Sequence, residues 1–257
     1  MRNYYFLAAS LPPLTLGEAS EITFEELEHR LKLNLSKSDL QKTVILRRYI
    51  DLQNIRFLLL EESIDLRGNL SEKELDEALL IQDILPEYVF DFLEHFESKE
   101  DKIRNFSGLY ARYFSEEIPK QSGFLANYLE FERDWRLVML GLRAKKLRRD
   151  LVSELQFEDF SDPLVAHLLS QKDMEEYEPP QEYVELKELM HACAEDPWQQ
   201  FVTFAAYRFR KIEDIAGSPI FSMDWILGYI ARLMIVEKYN ELSEELGKTI
   251  LENFKTG

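Results

Sequence analysis

The stretch Tyr49-Ile-Asp-Leu-Gln-Asn-Ile-Arg56, set in a long run of helix-forming residues, decides the fold. It returns as Tyr128-Leu-Glu-Phe-Glu-Arg-Asp-Trp135, which keeps aliphatic, acidic and large apolar residues in the same order. A shorter copy, Tyr229-Ile-Ala-Arg-Leu233, keeps the tyrosine and the aliphatic residue that follows it. The copies lie too far apart and too unevenly for a solenoid, whose usual repeat is about 20–50 residues. They indicate instead about three related helical lobes.

Apolar residues follow helical spacing along most of the chain. Between 198 and 215 they recur every three or four residues, which places them on one stripe of a helix. Thr23 and Ser71 each precede a glutamate by three residues, the arrangement of a capping box. No stretch shows the sustained alternation of a half-buried strand, so we expect an all-α protein. The predicted helices span residues 4–11, 23–33, 37–62, 71–82, 86–98, 100–117, 121–156, 162–172, 181–194, 197–214, 223–240 and 243–254.

Prolines and a run of acids suggest where the lobes divide. Four acids between 173 and 178 precede Pro179 and Pro180, and neither like charges nor two prolines favour a continuing helix. A weaker break lies around Pro119. We therefore expect a multi-lobed molecule with continuous helical structure. Its predicted parts are an N-terminal lobe at 1–118, a central long-helix lobe at 119–172 and a C-terminal lobe at 181–257.

Charge and cysteine content limit the functional classes. The net charge of −17 repels phosphate backbones and anionic lipid head groups, so general nucleic-acid binding is not expected. Cys193 is the single cysteine, which rules out an internal disulfide and favours a buried thiol in a reducing compartment. The most apolar run, 225–236, falls short of the ~18 residues of a membrane span. We expect a soluble, cytoplasmic protein.

Residue types that carry catalysis are sparse. The four histidines form no zinc-protease or nucleophile motif, and the glycines form no phosphate-binding loop, so no cofactor is expected. Glu26 with His29, and Glu188 with His191, do have the Glu-x-x-His spacing used by di-iron helical bundles. A chain rich in glutamate produces this spacing by chance, and the first motif lies among charged residues. We therefore favour solvated helix faces and keep a di-iron metalloprotein as the alternative.

Five cations cluster within seven residues of this acidic chain. One interpretation is structural: the cations end a predicted helix that begins with acids, which suits the helix dipole. The other is a docking patch for an acidic partner, because arginine pairs with carboxylates in a bidentate manner. The candidate partner-binding residues are Arg143, Lys145, Lys146, Arg148 and Arg149.

Four stretches carry a resemblance to a known family. Tyr4-Tyr-Phe-Leu-Ala-Ala-Ser-Leu-Pro12 resembles the opening of an uncharacterised bacterial family encoded in V-type (A/V-type) ATPase operons. Residues 49–56, 130–145 and 224–239 support the match. That family is similar to the C subunit of the V/A-type ATPases, called d in the eukaryotic enzyme. The C subunit is an all-helical funnel of three related lobes, in which tyrosine-led helices bearing Asp, Asn and Arg recur.

The resemblance implies a function without catalysis of its own. It implies a structural coupling subunit of a bacterial rotary ATPase, linking the central stalk to the membrane rotor ring. Its partners would be the stalk and rotor-ring subunits, in an enzyme that couples proton or sodium ion transport to ATP hydrolysis or synthesis. Its location would be the cytoplasm, peripheral to the inner membrane. A generic acidic adaptor for other proteins is a further alternative.

Overall fold

The computed structural model describes residues 4–193, 196–217 and 219–256. Within those ranges the chain forms α-helices and two short 3-10 turns and contains no strand, which confirms the all-α expectation. The helices are α1 Tyr5–Ala9, α2 Phe24–Asn34, α3 Lys37–Leu60, α4 Glu72–Ile81, α5 Glu87–His95, α6 Lys99–Arg104, α7 Ser107–Glu117, α8 Phe124–Lys146, α9 Leu151–Glu154, α10 Pro163–Ser170, α11 Val184–Ala192, α12 Pro197–Ala216 and α13 Met223–Thr256.

The helices group into two compact units. The terminal unit takes the described residues of Met1–Thr43, Gly123–Leu125 and Cys193–Gly257. The central unit takes Val44–Ser122 and Ala126–Ala192. The division into three lobes at 1–118, 119–172 and 181–257 stays a prediction.

The terminal unit is built on α12 and α13. A Cβ added to Gly228 on α13 would lie 2.4 Å from the Cβ of Ala216 at the end of α12, so only glycine permits this close approach. Towards the other end of the pair, the rings of Trp198 and Tyr239 pack at a tilt, with centroids 5.5 Å apart. Small residues at one end and large rings at the other therefore set the spacing of the two helices.

Helix α13 also holds the N-terminal segments of the terminal unit. Glu237 on α13 accepts a 2.6 Å hydrogen bond from the backbone N–H of Phe24, the first residue of α2. The hydroxyl of Tyr229 donates to the carbonyl of Pro12 at 2.9 Å. The third tyrosine of the sequence motif is thus a buried contact to the start of the chain.

The central unit packs around aromatic side chains of α3 and α7. The ring of Tyr49 lies 5.0 Å from Tyr110, 5.9 Å from Tyr113 and 5.7 Å from Phe114. Tyr49 is half-buried, and Tyr128, which leads the second copy of the motif on α8, is buried. Both tyrosines that start the well-matched copies therefore contribute a packed aromatic ring to the central unit.

Five predicted helices differ from those observed. The segment 100–117 divides into α6 and α7, because the side chain of Asn105 bonds the carbonyl of Asp101 and competes with the helical backbone. The segment 121–156 divides into α8, which ends at Lys146, and the short α9. Between them, Arg148 takes a left-handed conformation with φ 53°. The segments 223–240 and 243–254 form one helix, since neither glycine nor proline separates them. The predicted helix at 181–194 ends at residue 192, and residue 194 lies outside the described residues.

Candidate functional site

Asp51, the acid of the first motif, binds backbone rather than facing solvent. Its side chain is only 2% exposed. It accepts 2.6 Å hydrogen bonds from the backbone N–H and the side-chain amide of Asn69, and a 3.3 Å bond from the N–H of Leu70. Burial raises the pKa of this carboxyl, against the lowering effect of these donors and of the nearby Arg47. The motif acid therefore fastens the segment that leads into α4.

Two further residues of α3 bind the same segment. Asn54, fully buried, donates to the carbonyl of Asp65 at 2.9 Å and accepts from its N–H at 2.8 Å. Arg47 donates to the carbonyl of Arg67 at 2.9 Å and also to that of Gly68. A Cβ on Gly68 would lie 2.8 Å from the amide nitrogen of Asn54, so this position requires glycine. We call residues 65–70 the clamped segment.

The second motif performs the same task with charged residues. Arg133 stands where the first copy has Asn54, and it pairs with Asp134 and with Asp162, each at 2.9 Å. Burial tends to lower the pKa of Arg133, but the two carboxylates outweigh this effect and raise it. Asp162 in turn accepts from the N–H groups of Leu164 and Val165 at the start of α10. The recurring helix therefore fixes the start of a later helix in both copies.

A second arginine strengthens this attachment. Arg136 pairs with Glu158, and both side chains are largely buried. The third copy places Arg232 against Glu213 at 2.5 Å, over the ring of Phe209 at 5.3 Å. Arg133, Arg136 and Arg232 therefore form ion pairs with acids of other segments of the chain.

The predicted partner-binding residues have unequal roles. Lys145 donates to the carbonyls of Lys172 and Met174, both at 2.7 Å, and so holds the chain after α10. Arg149 forms an exposed 3.3 Å ion pair with Glu154. The remaining members are exposed at the end of α8 or just after it, namely Arg143, Lys146 and Arg148.

The end of α8 also exposes apolar surface. Leu147, between the cations, is 58% exposed, and Val152 on α9 is 41% exposed. We call residues 143–149 the basic segment. It combines positive charge with the exposed aliphatic side chain of Leu147, a composition that suits contact with an acidic protein.

The residues of the Glu-x-x-His motifs are placed on helix surfaces. Glu26 serves the capping box of α2, where it accepts from the N–H of Thr23 at 3.2 Å. Glu188 and His191 are exposed on α11. In the part of the chain that the structure describes, no three His, Cys, Asp or Glu side chains are grouped as metal ligands would be. The placement therefore gives the di-iron alternative no support.

Cys193 has the buried position that the sequence predicts. Its sulfur lies 3.1 Å from the hydroxyl of Thr203, and its carbonyl accepts from the side chain of Gln200. The thiol therefore packs at the start of α12 within the terminal unit.

Comparison with known proteins assigns the family. A model described as "Protein of unknown function (DUF2764)" matches residues 1–257, which is the whole chain. The chain belongs to this family. No solved structure matches the DUF2764 chain. Over the described residues, no helix joins the length and the apolar character needed to cross a bilayer.

Similar proteins occur in Chlamydia. The DUF2764 chain is 28% identical to an "Uncharacterized protein" of Chlamydia muridarum over 263 aligned positions, which cover 100% of the chain and 99% of the relative. A protein with the same description from Chlamydia trachomatis is 29% identical, with the same two coverages. One from Chlamydia pneumoniae is 29% identical over 261 positions, covering 99% and 98%. The similarity therefore runs the full length of both chains.

Sequence reasoning on this DUF2764 chain missed two features. It did not find the partners of the motif, because the clamped segment has no regular structure and no spacing rule connects it to α3. It also did not predict the exposed aliphatic residues at the end of α4 and in the turn that follows. The available signal there was an apolar run, Leu79-Leu-Ile81, that continues past the buried face of a short amphipathic helix.

Proposed function

We propose that this chain is a non-catalytic structural subunit of a bacterial V/A-type rotary ATPase. It would couple the central stalk to the membrane rotor ring, as the resemblance of its motifs to those of the C subunit implies. The observation that carries the proposal is the shared task of the first two tyrosine-led helices. Each uses its polar residues to fix the start of a later helix, through Asp51 and Asn54 in one copy and Arg133 in the other.

This use of polar residues suits a mechanical part. A coupling subunit transmits torque, so its segments must resist displacement under load. Breaking a buried hydrogen bond or ion pair costs much free energy, because it leaves an unsatisfied polar group in a medium of low dielectric constant. The connection between Asn54 and Asp65 is of this kind, with two bonds of 2.8 and 2.9 Å.

The basic segment is the proposed contact with an acidic partner subunit. Arg143, Lys146 and Arg148 are exposed, and Leu147 between them adds apolar area. Positive charge on an otherwise acidic protein selects for a complementary surface and speeds association with it. Lys145 has a different role, because it binds the carbonyls of Lys172 and Met174.

Binding to purified central-stalk subunits tests the proposal. We expect a complex at low ionic strength that weakens as salt screens the charges. Arg148→Glu with Arg149→Glu should weaken it by about tenfold or more, because reversed charges at a contact repel. The matched control is Arg104→Glu with Lys120→Glu, which makes the same change in net charge at exposed cations outside the basic segment.

The outcomes separate the alternatives. A complex that is lost only with the Arg148 and Arg149 reversals supports the coupling proposal and the assigned contact. Equal weakening by both pairs points to a diffuse charge effect and removes the basic segment from the proposal. No binding to folded stalk subunits or to the rotor ring contradicts the proposal and favours an adaptor for other proteins.

A further inference from the structure

The end of α4 and the turn that leads to α5 present three aliphatic side chains to solvent. Leu80 is 84% exposed, Ile81 55% and Ile84 62%. The same two helices bury other apolar residues, including Leu75 and Val89, so the hairpin already has an inner face. The exposed trio is therefore additional to the packing of the hairpin, and we call it the apolar knob.

The backbone of this turn holds the apolar knob in an unfavourable geometry. Gln82 and Ile84 have φ angles of 54° and 71°, in the left-handed region that β-branched residues rarely adopt. Hydrogen bonds fix the turn: the N–H of Asp83 donates to the carbonyl of Ala78 at 3.2 Å, and the N–H of Ile84 to the side chain of Asp83 at 2.7 Å. Strain and exposed apolar area both oppose stability, and they recur together at binding surfaces.

Acidic residues surround the apolar knob. Residues 72–95 contain eight carboxylates and one lysine, and all eight carboxylates are exposed. Like charges at this density repel an acidic partner and attract a basic one. The exposed acids are Glu72, Glu74, Asp76, Glu77, Asp83, Glu87, Asp91 and Glu94.

A cavity adjoins the acidic helix α5. Its volume is about 600 Å³, and Phe96 and Phe157 line it together with Asp91 and Glu94. The side chain of Gln82 donates to Glu94 at 2.8 Å, which ties the turn that carries the apolar knob to the rim of this cavity. The hairpin thus joins exposed aliphatic groups, carboxylates and an aromatic recess.

From this combination we infer that the α4–α5 hairpin docks a basic amphipathic helix of a partner protein. The apolar face of that helix contacts Leu80, Ile81 and Ile84, and its lysines or arginines pair with the exposed carboxylates of α4 and the start of α5. Helices of this kind bind through apolar anchors with charges beside them. The inference uses other residues and the opposite charge from the basic segment, so it stands independently of the rotary ATPase proposal.

A designed peptide tests the inference. The probe is a fluorescent peptide of leucine and lysine ordered with helical periodicity, and its reference is a scrambled peptide of the same composition. Binding is measured by fluorescence anisotropy at low ionic strength with the full chain. The amphipathic peptide should bind about tenfold more tightly than the scrambled one, because only it presents a continuous apolar face.

Two variants of the chain locate the contact. Leu80→Ser with Ile84→Ser leaves every charge in place and should weaken the amphipathic peptide about tenfold. Glu77→Lys with Glu87→Lys reverses two exposed charges, keeps the hydrogen bonds of the turn and the apolar knob, and should weaken peptide binding by a similar factor. The matched control, Leu33→Ser with Leu66→Ser, removes two aliphatic side chains that are 72% and 83% exposed elsewhere, and should change affinity less than about twofold.

Three results would overturn the inference. Equal affinity for the two peptides would show attraction by net charge alone. Unchanged affinity in the Leu80 and Ile84 variant would show that the peptide binds elsewhere. Self-association of the unmodified chain in light scattering, abolished by that variant, would assign the apolar knob to a second copy of the chain.

Discussion

Replacing Asp51 by alanine should uncouple the clamped segment from α3. The substitution removes the acceptor of three donors: the N–H and side-chain amide of Asn69 and the N–H of Leu70. A buried donor without a partner costs about 1–3 kcal/mol. Part of this loss is offset, because burial disfavours the charged carboxylate and raises its pKa. We expect the free energy of unfolding to fall by about 2–4 kcal/mol.

A graded series makes this estimate specific. Asp51→Asn keeps one oxygen for the two backbone N–H groups but turns its amide towards the amide of Asn69, so it should cost about 1–2 kcal/mol. Asp76→Ala removes an exposed carboxylate on α4 and should change stability by less than about 0.5 kcal/mol. Asp76→Ala should therefore be the most stable of the three variants, Asp51→Asn the next and Asp51→Ala the least stable.

Urea denaturation and amide hydrogen exchange measure the two parts of the effect. The urea midpoint should fall with little change in the m-value, and the amides of residues 65–70 should lose protection before those of α3. A loss below about 1 kcal/mol for Asp51→Ala, with the clamped segment still protected, would refute the role given to the motif acid.

Three other substitutions test separate contacts. Burial tends to raise the pKa of Asp39, but hydrogen bonds from Tyr4, Lys42 and Ser36 bring it below its usual 3.8. The ionised carboxyl therefore stabilises the fold above pH 3.8. This stabilisation is lost as the pH falls through the lowered pKa. Tyr4→Phe should therefore cost about 1 kcal/mol at pH 7 in urea titrations, and the difference from the unmodified chain should vanish in acid. Gly228→Ala should lower the free energy of unfolding by about 1–3 kcal/mol, because the new methyl group crowds Ala216. Adding Ala216→Gly should restore much of this stability in a double-mutant cycle. If the losses of the two substitutions simply add, the contact is disproved. Ile84→Gly should raise the free energy of unfolding by about 1 kcal/mol, because glycine adopts a φ of 71° without strain. The melting temperature should rise accordingly. A lower melting temperature would contradict strain in this turn.

Local sequence signals account for most of the helices. Capping boxes at Thr23 and Ser71 mark the starts of α2 and α4, and Asp196 before Pro197 marks the start of α12. These signals depend on side chains within one turn of each other, so the sequence alone displays them. Helix ends inside continuous helix-forming runs carry no such signal, as at Lys146, where α8 stops without glycine or proline.

The roles of the motif residues depend on contacts distant in sequence. The spacing of Asp51 and Arg47 predicts a pair on one helix, whereas the hydrogen bonds of Asp51 reach Asn69 and Leu70. The charge cluster groups Lys145 with its neighbours as a candidate contact, yet Lys145 binds carbonyls at 172 and 174. A charged residue and its buried partner are joined by the fold, and the periodicity of one helix carries no information on that partner.

The composition of an isolated rotary ATPase tests the coupling proposal most directly. The enzyme would be purified from native membranes by an affinity tag on a central-stalk subunit, and the amount of this chain relative to that subunit measured by quantitative mass spectrometry. We predict a constant, stoichiometric amount that falls when Arg148 and Arg149 are both changed to glutamate. An intact enzyme that contains its stalk and rotor ring but lacks this chain would contradict the proposal.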